Sequence, residues 1–344
     1  MRYLLLLFLV SLLFFIPIKA SDDEEIPISP EVEKVIEKAL AYLAVRQNAD
    51  GSWTDSYGKN VGVNSLILMA FMSMGNLPGE GKYGDVVAKG LDWVMKQSKD
   101  SGLIQNTDNG GGNAMYGHGL STLMLSEVWG QTRRKDVGEK LRKAVDLIVR
   151  VQGPKGSWGY YSVPADGDTS VSVMQIFALK SAHEAGMYVP EVTMKKAITV
   201  IKTRFDEKNF MYGYGGPDNN IDSGHVGSHA AGTCIIQICG EKEPKYTLVA
   251  MQKCIEIIEK KKPFNPYFLY YGSVCTYYAG AKHYKKWCET MIPIVTKKQG
   301  ASGVIHDNLS TAWCVLSLSL PYRYIPVYRS EEHTSELQSR QYLV

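Results

Sequence analysis

Two kinds of apolar segment alternate along the chain. The first kind is amphipathic: in VEKVIEKALAYLAV and KLRKAVDLIVRV, apolar residues recur three and four positions apart with charges between them. This spacing predicts helices with one face toward water. We expect six such helices, over residues 31–47, 85–97, 136–152, 191–204, 246–260 and 284–299.

The segments between these helices are rich in small and apolar residues and carry few charges, as in MYGHGLSTLMLSEVWG and HVGSHAAGTCIIQICG. A helix that is apolar on all sides is predicted to be buried. Glycines at the ends of these segments suit helix C-termini: Gly75, Gly130, Gly186, Gly240 and Gly280. Six outer helices alternating with six inner ones predict an all-α fold, an α6/α6 toroid built as a double ring of six helical hairpins.

The two ends of the chain are predicted to lie outside this fold. Residues 1–20 have a basic start, an apolar run and a small residue at Ala20, which together are typical of a secretory signal peptide. The tail from Arg329 to Ser339, RSEEHTSELQS, resembles a translated sequencing adapter, so residues 329–344 are treated as an artefact. We therefore expect a secreted or periplasmic protein with a single toroid domain over residues 21–328.

Composition narrows the classes of partner. The formal net charge is +3 and 45% of the residues are hydrophobic, so the sequence predicts no nucleic-acid binding and, after signal cleavage, no membrane association. We expect a monomer. The six cysteines fall within apolar helical patterns, which favours burial as small hydrophobic side chains over a disulfide framework.

A short motif recurs where two outer helices end. QNADGSW places Gln47, Gly51 and Trp53 in the same spacing as Gln152, Gly156 and Trp158 in QGPKGSW. Degenerate copies follow Gln97 and Gln299. We expect the glutamine amide to bond carbonyls at the outer-helix end, the glycine to permit the chain reversal and the tryptophan to stack beneath it. The motif is predicted to join neighbouring hairpins.

This Q-x-x-x-G-x-W pattern resembles the repeat signature of squalene and hopene cyclases and of prenyltransferase-like toroids. The resemblance covers essentially the whole mature chain, and it is strongest to exported bacterial prenyltransferase and squalene oxidase repeat proteins, which have no established reaction. GDTSVSVMQIFALKSA and LPYRYIPVY carry this match. The resemblance implies a toroid with a central cavity.

The catalytic motifs of these families are incomplete here. Class II terpene cyclases use an acidic D-x-D-D, and the corresponding stretch is Asp166-Gly167-Asp168-Thr169, with glycine where the proton-donating aspartate should be. A D-D-x-x-D motif for magnesium-assisted ionisation of a diphosphate does not occur either. The sequence therefore predicts that terpene cyclisation is not the activity.

Long connections lead into the inner helices and short ones leave them, so all six inner helices are expected to begin at one polar mouth. Their N-terminal amides favour a ligand with acceptor or anionic groups. Polar and aromatic residues at these helix starts are candidates for ligand binding: Asn64, Thr169, His225, His229, Tyr270, Tyr271, His306 and Asp307. Inner aromatic residues are candidates for an apolar wall: Phe71, Phe177, Tyr277, Tyr278 and Trp313.

Two functions remain open. The first is a protein that binds a small molecule, glycan or peptide at the mouth without converting it. The second is a polysaccharide lyase or hydrolase that uses Tyr116, His118 and Asp168 as acid and base groups; the structural alternatives are a packed tyrosine, a histidine bonded to a carbonyl and a helix-capping aspartate.

One histidine spacing bears on metal binding. His225 and His229 are four residues apart and could share a helix face with a metal, but the zinc-ligand pattern of prenyltransferases does not map onto the chain, so no metal and no cofactor are predicted. Glu127 and Lys180 each lie twelve residues beyond an inner-helix start and are predicted to form a structural ion pair.

Overall fold

The computed structural model describes residues 28–106, 113–216 and 225–322. The predicted signal peptide and the predicted artefact tail lie outside these residues, so both stay predictions. So does the domain boundary at residue 328.

Twelve helices occur within the described ranges. The outer set comprises α1 (Pro30–Val45), α3 (Gly84–Lys96), α5 (Lys135–Arg150), α7 (Glu191–Lys202), α9 (Ala250–Lys261) and α11 (Ala281–Lys298). The inner set comprises α2 (Val61–Met72), α4 (Ala114–Thr132), α6 (Thr169–Glu184), α8 (Val226–Ile238), α10 (Pro266–Tyr278) and α12 (Asn308–Leu318). A two-stranded hairpin, β1 (Phe205–Asp206) with β2 (Met211–Tyr212), follows α7.

The inner helices form a closed ring. Each packs against the next, and α12 packs against α2. Every residue of α2 is buried, whereas α5 buries only the face carrying Val137, Leu141, Val145 and Ile148. This difference follows from the two apolar patterns and confirms the α6/α6 toroid.

Some element ends differ from the predicted ones. The helix expected over residues 246–260 begins at Ala250, because residues 245–249 form one π-helical turn. Gly130 lies inside α4, which continues to Thr132 and ends on Arg133 with a positive φ of 53°. The other four glycines do have positive φ, as the helix-end prediction requires: Gly75, Gly186, Gly240 and Gly280.

The repeated glutamine joins neighbouring outer helices. Gln47 Nε2 donates to the carbonyl oxygens of Gly51 at 3.0 Å and of Val86, in the first turn of α3, at 2.8 Å. Gln152 Nε2 repeats this with Gly156 and with Thr193 in α7, both at 2.9 Å. The acceptors thus include the next outer helix, whereas the sequence suggested only the end of the helix that carries the glutamine.

The two degenerate copies behave differently. Gln299 Nε2 donates to the carbonyl oxygen of Val35 in α1 at 2.8 Å and so joins the last hairpin to the first. Gln97 Nε2 instead donates to Trp93 within its own helix, at 3.1 Å. Its loop has one more residue before the glycine, so the amide does not reach α5.

The glycine of each copy lies against the backbone of the next outer helix. A Cβ on Gly51 would lie 2.3 Å from the carbonyl oxygen of Lys89, and a Cβ on Gly303 would lie 2.2 Å from that of Lys38. Both glycines also have positive φ, 90° and 98°. Close approach and backbone conformation therefore both require glycine here.

The tryptophans fill the space between the rings. Trp53 and Trp158 are fully buried, and their indole N–H groups donate to the carbonyl oxygens of Leu43 and Ile148 on the preceding outer helix, at 2.7 and 2.8 Å. A buried indole is thereby satisfied.

Two further observations concern the helices. In the part of the chain that the structure describes, no helix combines the length and the apolar character needed to cross a membrane.

Glu127 accepts a hydrogen bond from Ser181 Oγ at 2.6 Å, and Lys180 pairs with Glu184 at 3.1 Å. A direct Glu127–Lys180 pair stays a prediction.

Candidate ligand site at the toroid mouth

A cavity of about 940 Å³ opens where the inner helices begin. All six inner helices contribute residues from their first turns or N-terminal caps to its wall. Polar and aromatic side chains surround the opening: Tyr57, Asn60, Tyr116, Ser170, Tyr214, His225, Ser228, Asn265 and Tyr267. Apolar side chains also line it: Val63, Leu66, Leu120, Met174, Leu309 and Trp313.

The described wall contains no Lys, Arg, Asp or Glu side chain. Side chains cap several of the helix N-termini at the mouth: Asn60 accepts from Gly62 N and Asn265 from Phe268 N, at 2.8 and 3.0 Å. Part of the amide surplus expected to attract an anion is therefore already satisfied. The wall favours an uncharged ligand with hydroxyl or carbonyl groups.

The carboxylate of Asp168 lies just behind the wall. It caps α6 by accepting from Val171 N at 3.1 Å, and it also accepts from Ser170 Oγ at 2.6 Å and from the Tyr160 hydroxyl. Tyr160 also bonds to the Tyr214 hydroxyl. The carboxylate is therefore surrounded by hydroxyl donors from three segments of the chain.

These contacts set the protonation states. Burial alone would raise the pKa of Asp168, but hydrogen bonds from Ser170, Tyr160 and Tyr214 outweigh it, and the pKa lies below its ordinary value. Burial raises the pKa of Tyr116 to about 12, with a further contribution from the Asp168 charge. At neutral pH the site thus holds an ionised carboxylate and protonated phenols.

Arg204 fixes the start of α6 from behind. Its guanidinium is buried and donates to Thr169 Oγ1 at 3.2 Å and to the carbonyl oxygen of Gly167. Thr169 in turn donates to the carbonyl oxygen of Gly213 at 2.6 Å. Thr169 is fully buried in this network, so its predicted contact with a ligand is not supported by its position.

The three predicted catalytic residues do not converge. Tyr116 lines the cavity and Asp168 lies beside it, but His118 is fully buried and is not part of the wall. His118 Nδ1 accepts from Ile104 N, and Nε2 faces the carbonyl oxygen of Ala144 on α5, both at 3.2 Å. The ring therefore points to the outer helices, which corrects its predicted place beside Tyr116.

The position of His118 is one member of a repeated structural feature. The fourth or fifth residue of an inner helix accepts a hydrogen bond from a backbone N–H of the preceding loop, which anchors that loop. The five pairs, acceptor first, are Asn64 and Trp53, His118 and Ile104, Ser172 and Trp158, His229 and Tyr212, and Thr311 and Ile305.

Asn64 and His229, both predicted to bind ligand, belong to this set. Both are fully buried. Asn64 accepts from Trp53 N at 2.7 Å, and His229 Nδ1 accepts from Tyr212 N at 3.2 Å. They hold the loops in place instead of lining the cavity.

Of the remaining residues predicted to bind ligand, one lies in the cavity wall and the others do not. His225 lines the cavity, where its ring stacks on Tyr214 with centroids 5.0 Å apart. The His225 ring faces the cavity, whereas the His229 ring accepts from Tyr212 N, and the described residues contain no group of three His, Cys, Asp or Glu side chains suited to a metal.

The others lie behind or outside the wall. Tyr270 and Tyr271 are buried against Trp313, with ring centroids 4.6 and 6.1 Å from it. Asp307 caps α12 by accepting from Ser310 N at 2.6 Å, and His306 is exposed beside it. Of the five aromatic residues predicted to line the cavity, the described wall includes Trp313.

Several wall residues were missed from the sequence: Tyr57, Asn60, Ser170, Tyr214 and Tyr267. Tyr57, Asn60 and Tyr214 belong to loops or a helix cap, and Ser170 and Tyr267 are the second residues of α6 and α10, where helical spacing gives no signal. Tyr267 also packs edge-on against Tyr271, with ring centroids 4.7 Å apart, and its buried hydroxyl interacts with that residue.

Comparison with known proteins identifies the fold only. No protein-family model matches the chain, and no curated protein matches its sequence significantly. The GH76A α-1,6-mannanase of Salegentibacter sp. HEL1_6 superposes with a TM-score of 0.65 at 8% identity, covering 87% of this chain and 100% of that one.

Other similar structures have different activities. A type II terpene cyclase, MstE from Scytonema, gives a TM-score of 0.58 at 13% identity over 86% of this chain and 98% of its own. A GH76 α-mannanase from Bacteroides thetaiotaomicron gives 0.62 at 11% identity over 85% and 96%. The α/α toroid is thus shared with hydrolases and a cyclase, and it does not by itself assign a reaction.

Proposed function

We propose that this chain is an exported toroid protein that binds a neutral, hydroxyl-bearing molecule, best represented by a short oligosaccharide, at the mouth of its central cavity. The supporting observation is the cavity wall, which combines tyrosine, serine and asparagine side chains with apolar ones and has no charged Lys, Arg, Asp or Glu in its described part. Aromatic rings with hydroxyl groups suit the faces and edges of sugars.

Binding accounts for the site better than glycoside hydrolysis does. Hydrolysis by the usual route requires two carboxyl groups facing the substrate, about 5 to 10 Å apart. Two carboxylates lie beside the wall, and both already accept hydrogen bonds from the protein: Asp168 from Val171, Ser170 and Tyr160, and Asp55 from Leu309 N at 2.8 Å.

Lyase chemistry is disfavoured for a second reason. A tyrosine base would need a lowered pKa, whereas burial raises that of Tyr116 to about 12. His118, the other predicted base, faces Ala144 on the outer ring. The hydrolase or lyase alternative therefore depends on Asp168 and Tyr116 alone.

Two structural neighbours guide the choice of probe. The mannanase from Salegentibacter is described in complex with α-1,6-mannotriose, and the cyclase from Scytonema with geranylgeranyl dihydroxybenzoate. The first ligand is a neutral glycan and the second a largely apolar isoprenoid. Because this cavity has both polar and apolar wall residues, comparing a glycan with an isoprenoid tests which part of the wall dominates binding.

Isothermal titration calorimetry with α-1,6-mannotriose, maltotriose and geranylgeraniol tests the proposal. We expect a trisaccharide to bind and Leu120→Trp, which fills the cavity, to weaken binding by at least about tenfold. Tyr116→Phe removes one hydroxyl and should weaken binding about threefold to tenfold. Tyr284→Phe is the matched control, because its hydroxyl bonds to Ser317 at the other end of the ring.

Two results would contradict the proposal. One is the absence of trisaccharide binding up to millimolar concentration while geranylgeraniol binds. The other is unchanged trisaccharide affinity in a folded Leu120→Trp variant. Cleavage of either trisaccharide that is lost in Asp168→Asn would replace the binding proposal by the hydrolase alternative.

A further inference from the structure

The second cluster of reactive side chains lies away from the mouth, between α8, α9 and α10. Cys254 on α9 and Cys275 on α10 are both fully buried and lie close enough for the two thiols to interact, and the Cys275 thiol donates to the carbonyl oxygen of Gly272 at 3.3 Å. His229 on α8 and Thr233, one turn further along α8, also contact Cys254. Neither thiol belongs to the cavity wall.

The helix register places the two thiols at a similar level. α9 and α10 are consecutive and pack against each other. Cys254 lies about two turns before the end of α9, and Cys275 about two and a half turns after the start of α10. In an antiparallel pair of helices these positions face each other across the interface.

His229 adds a third observation. Its Nδ1 accepts from Tyr212 N, so the ring proton is on Nε2. That buried Nε2 has no oxygen or nitrogen partner among the described residues, and it is turned to the Cys254 thiol. A proton donor beside one sulfur favours its thiolate, the form that attacks disulfides.

We propose that Cys254 and Cys275 form a disulfide bond when the protein folds in an oxidising compartment. The oxidant is a disulfide, such as oxidised glutathione or a disulfide-carrying oxidoreductase. The Cys254 thiolate attacks one sulfur of the oxidant and releases the first thiol. Cys275 then loses its proton, attacks the Cys254 sulfur of the mixed disulfide and releases the second thiol.

The bond would join helices where the glutamine motif is absent. Residues 262–265 connect α9 to α10 without a Q-x-x-x-G-x-W copy. Because both sulfurs are buried in the folded protein, exchange takes place while α8, α9 and α10 dock. Once formed, the bond is shielded from external thiols.

Refolding tests this directly. The full chain is reduced, denatured and refolded either with dithiothreitol or with a mixture of oxidised and reduced glutathione. Each sample is then alkylated with iodoacetamide in guanidinium without reductant, and the intact mass is measured by mass spectrometry to count the alkyl groups. With dithiothreitol, all six cysteines should be alkylated; with glutathione, two fewer alkyl groups should be added, and peptide mapping should recover Cys254 linked to Cys275.

Variants separate this pair from the other cysteines. Cys239→Ser should still lose two alkylation sites on oxidation, whereas the double variant Cys254→Ser with Cys275→Ser should lose none. Oxidation should raise the Tm of the wild type by several degrees and leave that of the double variant unchanged. Six alkylated cysteines in natively refolded, oxidised wild type, or a link from Cys254 to Cys234, would overturn the proposal.

Discussion

Five of the six junctions between neighbouring outer helices are of two chemically different kinds. At three junctions, α1 with α3, α5 with α7 and α11 with α1, a glutamine amide donates to the next outer helix. We call these the glutamine junctions. At α3 with α5 and α7 with α9, a histidine of the inner ring faces the outer helix instead, His118 toward Ala144 and His229 toward Cys254. We call these the histidine junctions.

The difference extends to the loop residue that lies between the rings. Glutamine junctions have a small acceptor on the inner helix, namely Asn64, Ser172 or Thr311, and two of them place a tryptophan in the loop. In the histidine junctions the loop residue is Ile104 or Tyr212. The imidazole both anchors the loop and reaches the outer ring, so a side chain that resembles a catalytic base has a structural role.

The largest expected effect comes from the glycine of a glutamine junction. Gly303→Ala combines a positive φ with a contact of 2.2 Å to Lys38, and it should lower the free energy of unfolding by about 4 kcal/mol. Gly240→Ala is the control, because Gly240 has a similar φ of 86° but open space around it, and about 1 kcal/mol is expected. Urea unfolding measures both. Equal losses would show that the contact with α1 contributes nothing.

A histidine junction should respond to acid. Burial lowers the pKa of His118 to about 4 from an ordinary 6.5. Below pH 6.5 the unfolded chain binds a proton at this residue that the folded protein does not, so stability falls as the pH falls from 6.5 to 4, by about 3 kcal/mol.

His118→Asn isolates this contribution, since Asn64 fills the equivalent position in the first hairpin. The free energy of unfolding of the variant relative to the wild type should rise by about 3 kcal/mol between pH 7 and pH 4, as followed by urea unfolding at each pH. A constant difference across this range would contradict a neutral buried imidazole.

The glutamine amides provide a smaller, matched pair. Gln47→Ala removes hydrogen bonds to Gly51 and Val86, and about 2 kcal/mol of stability should be lost. Gln97→Ala removes one bond within its own helix, and about 0.5 kcal/mol is expected. If both variants lose the same amount in urea unfolding, the bond to the next helix is not the source of the effect.

A smaller effect than that of Gln47→Ala is expected from a phenol at the α7–α9 junction. The Tyr212 hydroxyl donates to the carbonyl oxygen of Tyr246 at 3.0 Å, and Tyr212→Phe keeps the ring packing, so about 1 kcal/mol should be lost. Thermal unfolding followed by circular dichroism measures this loss. An unchanged Tm would mean that ring packing alone joins the two segments.

The sequence was sufficient for the fold because the two apolar patterns and the repeated motif agree. VGVNSLILMAFM is buried on every side and becomes inner helix α2, while KDVGEKLRKAVDLIVR has one apolar face and becomes outer helix α5. The start of α1 is consistent with its local sequence, because Ser29, directly before Pro30, caps the helix by accepting from Val32 N. Local chemistry and packing point to the same architecture.

The site residues were predicted less well than the fold. They were chosen by their position along the helix axis, and the direction in which each side chain leaves the helix was not considered. Tyr116 and His118 are two residues apart, so they point to nearly opposite sides of α4. That spacing alone would have separated the cavity residue from the buried one. Tyr160, Tyr214 and Arg204 reach Asp168 or the start of α6 from loops or a distant helix end, and no spacing in the sequence reports such contacts.

The bond from Gln299 to Val35 joins positions 264 residues apart. It can form only after residue 299 has been synthesised, so the junction of α11 with α1 is absent until then. Contacts of such long sequence separation also slow folding. Closing the double ring therefore requires the first and last hairpins of the domain to meet, so that truncation at either end removes the same junction.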